Sequence, residues 1–385
     1  MKITLVSSYF PTSAGSYRGH SALHIFRLLS SVADVTALVP LASYPKVIRR
    51  LVSWTDSFEP GFRPAGIETV YFRYPAIPFV TRPVNGFFCL RALLPLLRAA
   101  SPDVIMNYWL YPDGYAAVRA GKILGVPTIV GSIGSDLRRI TDPFTGYYVA
   151  KTVREAAAVV TVSEELRQQT ISLGAAPNKI TTIVNGCDTS IFRFSGRKEA
   201  RRETGCDESW RLIVYVGSFL ASKGLAELVD AFAAMARSMP AARLALVGEG
   251  GFRGTIERRA ASAGILDRIL FPGKLTSEQV ASWMRAADVF CLPSYSEGCP
   301  NVIVEALACG CPIVASSVGG IPELCSQHSS ILVPPRDSER LRQALQEALS
   351  KAWDRESIAA ASRRGWKDAA DQTLAVCRRV LEGRR

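Results

Sequence analysis

The chain has 385 residues, of which 48% are hydrophobic and 21% charged, a balance typical of a well-packed globular protein rather than a disordered one. Its nine cysteines include no C-x-x-C pair, which disfavours a zinc site, and no stretch approaches the roughly 18 apolar residues that span a bilayer. The length predicts two domains, and the short apolar run at the N-terminus does not favour a signal peptide.

Two series of short apolar runs alternate with amphipathic helical stretches, which is the pattern of parallel sheets joined by crossover helices. The first series predicts strands near Ile3–Ser7, Val35–Val39, Thr69–Arg73, Val104–Asn107, Thr128–Val130 and Val159–Val162. The second predicts strands near Leu212–Val216, Leu244–Val247, Ile269–Phe271, Val289–Leu292, Ile313–Ala315 and Ser330–Val333. The predicted fold is therefore α/β, with two Rossmann-like, doubly wound parallel sheets that bind ligands at the carboxyl ends of their strands.

The formal net charge of +12 is concentrated in the first half, where residues 1–200 hold 22 Lys and Arg against 13 Asp and Glu. This excess indicates an anionic partner or simply a solvated basic surface. Lipid head groups and a phosphorylated acceptor are the favoured partners, and nucleic acid is disfavoured because no basic-aromatic or helix-turn-helix pattern accompanies the charge. Residues 86–98 either form a core helix interrupted at Pro95, which base rates favour, or dock shallowly on a membrane through Arg91 and Arg98.

The polar segment Asp188–Gly205 separates the two series of strands and is the predicted junction. It places an N-terminal domain at residues 1–190 and a C-terminal domain at residues 205–362. In the second domain, Lys223 follows a predicted strand and a short loop and opens a helix. A lysine in that position can neutralise a diphosphate as it becomes a leaving group, although a lone lysine of this kind is usually solvated.

The segment from Glu297 to Glu305 is the most informative in the chain. It follows an apolar run predicted to be a buried strand, and Pro300 fits the first turn of a helix that reaches about Ala308 and stops at Gly310. Amides at the start of a helix suit phosphate, whereas a carboxylate beside them suits a pair of sugar hydroxyls. Together these groups indicate a nucleotide or nucleotide-sugar ligand.

The sequence E-G-C-P-N-V-I-V-E resembles the E-G-x-P-x-x-x-x-E element of the retaining GT-B glycosyltransferases of family 4. Flanking motifs resemble that family too: Val214-Tyr215-Val216-Gly217, Lys223-Gly224, Leu246-Val247-Gly248, Asn185-Gly186 before Asp188, and Gly319-Gly320-Ile321-Pro322-Glu323. The resemblance covers nearly the whole chain and is strongest between residues 162 and 333. It implies two domains facing a cleft, with the last helix, residues 363–385, packed back on the first domain.

The resemblance also implies a reaction, the metal-independent transfer of a hexose-type sugar from a UDP- or GDP-linked donor to an acceptor hydroxyl, with no cofactor. The chain has no D-x-D element at a suitable strand end to hold a divalent cation. The implied donor-binding residues are Gly15, Ser16, Gly217, Ser218, Lys223, Leu275, Glu297, Gly298, Cys299, Pro300, Asn301, Val302 and Glu305. Ser218 departs from the family, which often has arginine there.

The implied catalytic residues are Asp113, Glu297 and Lys223. Many relatives have histidine at the positions of Met106 and Tyr108, and some where Asp113 stands, so Asp113 is the best-placed polar group to face the reacting sugar. An N-cap role for Asp113 in the following helix is an alternative, and the two roles are compatible.

The expected partners are a nucleotide sugar and a sugar, lipid-linked or small-molecule acceptor, with no nucleic acid. The expected location is cytoplasmic, with peripheral contact to an anionic membrane as an option. The expected role is synthesis of a cell-surface glycan, glycolipid or related glycoconjugate. A nucleotide-sugar epimerase of the same fold and an inactive nucleotide-sugar-binding protein are the alternatives.

Overall fold

The computed structural model describes residues 1–16, 18–45, 58–77, 81–138, 140 and 142–383. The chain forms two compact units. Unit 1 comprises Met1–Val184 and Trp366–Arg385, and unit 2 comprises Asn185–Gly365. Each unit is built on a parallel sheet with helices, so the predicted α/β fold with two Rossmann-like sheets is confirmed.

Unit 1 contains a seven-stranded sheet in the order β3-β2-β1-β4-β5-β6-β7, in which all neighbours are parallel. Its strands are β1 (Lys2–Val6), β2 (Asp34–Ser43), β3 (Glu68–Pro75), β4 (Val104–Asn107), β5 (Thr128–Ser132), β6 (Ala158–Thr161) and β7 (Ile180–Thr182). Its described α-helices are His20–Leu29, Asn85–Ala100, Tyr115–Leu124, Ser135–Arg138, Pro143–Glu155, Glu164–Ser172 and Trp366–Glu382. The three-residue strand β7 was not predicted from the sequence, because a single buried residue, Ile180, gives no apolar run.

Unit 2 contains a six-stranded parallel sheet in the order β10-β9-β8-β11-β12-β13. Its strands are β8 (Arg211–Val216), β9 (Ala242–Val247), β10 (Ile269–Gly273), β11 (Val289–Leu292), β12 (Ile313–Ser316) and β13 (Ser330–Val333). Its α-helices are Arg197–Thr204, Leu225–Ala236, Arg253–Ser262, Ser277–Ala286, Asn301–Ala308, Ile321–Leu324, Ser338–Ser350 and Arg355–Ala361. All six predicted strands are present, and in both sheets the chain changes direction beside the first strand, the place where such folds bind ligands.

The boundary between the units differs from the predicted junction at Asp188–Gly205, because this segment belongs to unit 2. Phe192 is buried in the core of unit 2, and the buried guanidinium of Arg201 donates to Asp288 at 2.8 Å. The polar composition of this segment predicted a junction, but Arg197 and Arg201 within it form ion pairs with Asp288 inside unit 2. The amide of Cys187 also donates to the carbonyl of Arg364 at 3.0 Å, so the two boundary segments lie side by side.

The C-terminal helix begins at Trp366 and packs in unit 1. Its buried side chains, among them Leu374 and Cys377, lie in the same core cluster as Leu23 and Phe26 of the first helix. The ring of Trp366 also stacks on His24, with 5.3 Å between the ring centroids.

The helix Asn85–Ala100 runs without interruption through Pro95, so the predicted break at this proline was wrong. Pro95 lies on the exposed face, where the carbonyl that loses its helical partner can bond to water. The opposite face, with Cys89, Leu93 and Leu97, is fully buried. Within the described ranges, no helix is long and apolar enough to cross a membrane.

Candidate functional site

The carboxyl ends of β8, β9 and β10 meet in unit 2 through backbone contacts that leave no room for side chains. The amide of Gly217 donates to Val247 at 3.0 Å, and that of Gly248 donates to Gly273 at 2.9 Å. A Cβ atom on Gly248 would lie 2.0 Å from the carbonyl oxygen of Gly217, and φ at Gly248 is +132°. Only glycine fits this position. Because no side chain projects from this part of the sheet edge, a phosphate group can approach the backbone closely.

Lys223 lies in the turn that follows β8, next to the loop that carries Glu297. Its Nζ is 2.6 Å from Oε1 of Glu297, and both side chains are mostly withdrawn from solvent. The turn is held against the end of β11 at Gly224, where a Cβ atom would lie 2.0 Å from the carbonyl oxygen of Pro293. Two predicted residues that are 74 positions apart in the sequence are thus in direct contact.

Tyr295 fixes the same contact and was not predicted from the sequence. Its amide donates to the carbonyl of Ser222 at 2.9 Å, and its hydroxyl donates to Glu227 at 2.7 Å. The guanidinium of Arg336 covers the Tyr295 ring at 4.6 Å. A tyrosine after a buried strand gives no signal of this role, because all its partners are distant in the sequence.

The predicted helix after the Glu297 loop spans Asn301–Ala308, with Pro300 at the N-cap rather than in the first turn. Gly298 in the loop accepts a hydrogen bond from Gly320 at 2.8 Å, and Asn185 donates to the side chain of Asn301 at 2.8 Å. Three motifs distant in the sequence therefore converge at the start of this helix.

Glu305 lies inside this helix, and its carboxyl group has a raised pKa. It is partly buried, and none of the described residues donates a hydrogen bond to it or forms an ion pair with it. Burial raises its pKa to about 7, because the charged form loses hydration without gaining a partner. A carboxylate in this state is well suited to accept hydrogen bonds from a ligand's hydroxyl groups.

The other predicted donor residues of unit 2 differ in their exposure to solvent. Ser218 is exposed after β8, while Leu275 and Val302 are half-buried against the core. Cys299 is half-buried, and burial raises the pKa of its thiol to about 11, so it remains protonated at neutral pH.

Asp113 lies in unit 1, in the turn Leu110–Gly114 that follows β4, and is completely buried. One oxygen, Oδ2, accepts a hydrogen bond from the amide of Ser8, just past the end of β1. The other, Oδ1, is buried, and none of the described residues donates to it. Burial raises the pKa of Asp113 to about 6 even though the Ser8 amide favours the charged form.

The alternative role of Asp113 as an N-cap is wrong. Gly114 occupies the N-cap position of the helix Tyr115–Leu124, and no side chain bonds to the cap. The sequence could not exclude that role, because the partner of Asp113 is an amide 105 positions earlier, just past the end of the neighbouring strand β1.

Asp136 is a second buried carboxylate in unit 1, and it follows β5, the strand next to β4. Its Oδ1 accepts from the amides of Gly134 at 2.8 Å and Ile133 at 3.2 Å, whereas Oδ2 is buried with no partner among the described residues. Burial raises the pKa of Asp136 to about 6. Unit 1 thus has two buried carboxylates that follow adjacent strands, each with one oxygen that accepts a hydrogen bond and one that has no partner among the described residues.

The predicted loop residues Gly15 and Ser16 follow β1 in unit 1. The carbonyl of Ser16 is 2.6 Å from Nε2 of His20, which opens the first helix, and burial lowers the pKa of this histidine. Arg18, which follows the loop, lies over the ring of Tyr9 at 5.4 Å, and Tyr9 in turn stacks on Trp109.

The chain matches two sequence families. Residues 196–365 match the family described as glycosyl transferases group 1, and residues 49–191 match glycosyltransferase family 4. Together these matches cover most of both units.

Individual proteins are similar along most of their length. The Bacillus subtilis protein TuaC, whose name assigns it provisionally to teichuronic acid biosynthesis as a glycosyltransferase, is 28% identical over 370 residues, covering 90% of this chain and 88% of TuaC. The D-inositol 3-phosphate glycosyltransferase of Stackebrandtia nassauensis is 31% identical over 323 residues, covering 75% of this chain and 72% of that protein. Anabaena HepE, in a crystal structure with UDP, has a TM-score of 0.77 at 18% identity and covers 97% of this chain and 99% of its own. The likeness to HepE shows a shared fold.

The raised pKa of Glu305 predicts a gain in stability when this residue is neutralised. Its ionisation in the folded chain costs free energy as the pH rises from the ordinary value of 4.5 to about 7. Glu305→Gln should therefore raise the free energy of unfolding by about 1–3 kcal/mol at pH 8, after allowance for partial exposure, and by little at pH 4.5. Chemical denaturation across this pH range measures the difference.

Glu297→Gln is the matched control, because Glu297 already has Lys223 as a partner and its neutralisation should not stabilise the fold. A gain for Glu305→Gln that is the same at every pH would contradict the proposed cause.

Proposed function

Because the chain belongs to the group 1 glycosyltransferases of family 4, we propose that it transfers a hexose from a nucleoside diphosphate sugar to an acceptor hydroxyl, with retention of configuration and without a metal ion. The observation that carries the donor assignment is Glu305, a partly buried carboxylate with no partner among the described residues, in the helix that follows the loop of the Lys223–Glu297 pair. The ribose hydroxyls of the donor supply the hydrogen bonds that Glu305 lacks.

Lys223 stabilises the departing diphosphate in this proposal. The bond between the sugar C1 and the diphosphate oxygen breaks, and the acceptor oxygen bonds to C1 on the same face of the ring. The acceptor's proton passes to the departing phosphate oxygen, so no histidine is required. The Lys223 ammonium has three N–H donors, and it can bond to the phosphate while it remains next to Glu297.

The proposed donor carries UDP or GDP, and no separate cofactor takes part. The complex of HepE with UDP supports the first of these bases, since HepE shares the fold over almost the whole chain. Metal independence is part of this proposal, because the Lys223 ammonium can supply the positive charge that a divalent cation would otherwise place on the departing diphosphate.

The proposed acceptor is a sugar, a lipid-linked sugar or a small phosphorylated molecule, and the product belongs to a cell-surface glycan or related glycoconjugate. The name of TuaC supports a glycan product, and the name of the D-inositol 3-phosphate glycosyltransferase supports a small phosphorylated acceptor. We place the reaction in the cytoplasm, in peripheral contact with the inner face of the membrane, because the excess positive charge lies in the first 200 residues.

A panel of sugar nucleotides, offered with candidate acceptors, tests the proposed reaction directly. We expect a UDP- or GDP-hexose to yield a glycoside with the donor's anomeric configuration, at a rate that EDTA does not change. Release of free sugar or an isomerised donor in place of a glycoside would contradict transfer. Loss of turnover in EDTA that Mg²⁺ restores would contradict metal independence.

The two glutamates of the donor site should respond differently to the same isosteric change. Glu305→Gln should raise the donor KM about tenfold or more, and weaken the preference for ribo- over 2′-deoxyribonucleotides, because its carboxylate accepts from the ribose. Glu297→Gln should instead lower kcat, with little change in the affinity for the nucleoside diphosphate, which carries no sugar. Steady-state kinetics and calorimetric titration measure both effects, and identical profiles for the two variants would refute the assignment.

We propose that Asp113 serves the reacting groups through its unpartnered Oδ1. Asp113→Asn keeps an oxygen for the Ser8 amide, so the fold should persist while kcat falls by about a hundredfold. Asp136→Asn is the matched comparison, since Asp136 is also buried with one unpartnered oxygen. Equal losses of kcat in both variants, with equal falls in melting temperature, would assign Asp113 a structural role only.

A further inference from the structure

Two helices of unit 1 expose large apolar side chains next to one another. The helix Asn85–Ala100 exposes Phe87 and Phe88, and the helix Pro143–Glu155 exposes Phe144 and Tyr147, whose exposed fractions are 65% and 55%. The rings of Phe87 and Tyr148 join the two helices, with 5.7 Å between their centroids. Together with Val84, the four exposed aromatic residues are called the aromatic surface below.

The exposure of these rings is not the result of an incomplete core. In the helix Pro143–Glu155, residues 144, 147, 148 and 151 share one face, while Val149 and Val153 are fully buried on another. In the helix Asn85–Ala100, the buried face is likewise complete. Each helix therefore has one face for the core and a second face that is only partly covered, since Phe87 packs against Tyr148 while Phe144 and Tyr147 stay largely exposed.

The charges around the aromatic surface are positive. Residues 69–102 contain four arginines and no Asp or Glu, and two of them, Arg82 and Arg91, border the surface. Lys151 lies on the other side, 5.9 Å from the Tyr147 ring. Among the described residues, two acids lie at this border. Asp142 caps its own helix and lies 3.8 Å from Arg82, and Glu155 lies 2.8 Å from Lys122 and 4.0 Å from Lys151, so both negative charges are compensated.

We propose that the aromatic surface docks unit 1 on an anionic lipid bilayer. Phenylalanine rings on such a helical surface insert at the boundary between the lipid head groups and the acyl chains, and a tyrosine ring keeps its hydroxyl in the wetter head-group layer. Arg82, Arg91 and Lys151 then lie at the level of the lipid phosphates, which supply the opposite charge. None of these residues is a proposed donor residue. The proposal rests on the peripheral membrane contact proposed above and names the residues that make it.

Vesicle co-sedimentation of the full chain tests the docking. We expect binding to phosphatidylcholine vesicles that contain phosphatidylglycerol, weakening steeply with salt, and little binding to phosphatidylcholine alone. The double variant Phe144→Ser with Tyr147→Ser should bind anionic vesicles at least about tenfold more weakly, because it removes two rings that the bilayer would bury. The double variant Arg91→Glu with Lys151→Glu should lose binding at low salt, where the wild-type chain binds best.

The matched control is the double variant Leu28→Ser with Val32→Ser, which removes two other exposed apolar side chains of unit 1. It should bind like the wild type, and all variants should retain the wild-type melting profile. Absence of vesicle binding by the wild-type chain, or equal loss in the control, would overturn the proposal. So would a dimer in sedimentation velocity that the Phe144→Ser with Tyr147→Ser variant dissociates, because a second copy would then be the occupant.

Discussion

The close approach of Gly224 to the end of β11 is the constraint on which the donor residues of unit 2 depend. With φ of +68° and the Pro293 carbonyl 2.0 Å from where a Cβ atom would lie, this position accepts only glycine. The contact brings the turn that carries Lys223 against the loop that carries Glu297. Without it, the strand order would still place both segments at the same sheet edge, but not within hydrogen-bond distance.

Carboxylates with incomplete hydrogen bonding occur in both units, two of them fully buried after strands of unit 1 and one partly buried in a helix of unit 2. Asp113 and Asp136 in unit 1 and Glu305 in unit 2 all have raised pKa values, and burial is the main cause in each case. An unpartnered buried carboxylate costs free energy that a fold selected for stability alone would avoid. The proposed roles of Asp113 and Glu305 in binding and transfer would account for this cost.

Much of the fold could be predicted from the sequence, because buried parallel strands are continuous apolar runs, and twelve such runs were recognised. The Lys223 and Glu297 motifs could also be recognised, since each has a local pattern of strand, loop and helix. The partner of Asp113 could not, because a hydrogen bond to Ser8 depends on which strands are neighbours. The break predicted at Pro95 failed for a related reason, since only the tertiary structure shows that this proline faces solvent. The sequence indicated membrane docking as one alternative for residues 86–98, but the second helix of the aromatic surface lies more than 50 positions further along the chain and was not recognised.

The membership of the C-terminal helix in unit 1 has a consequence for the order in which the chain folds during synthesis. Residues 185–365 form a complete unit and leave the ribosome before Trp366–Glu382. Until that helix arrives, the core cluster that contains Leu23 and Phe26 lacks the side chains of Leu374 and Cys377, although unit 1 is made first. Unit 2 can therefore complete its core before unit 1 does, in contrast to the usual N-terminal-first order of folding. A nascent chain stalled before Trp366 would expose this part of the apolar surface on the older of its two units.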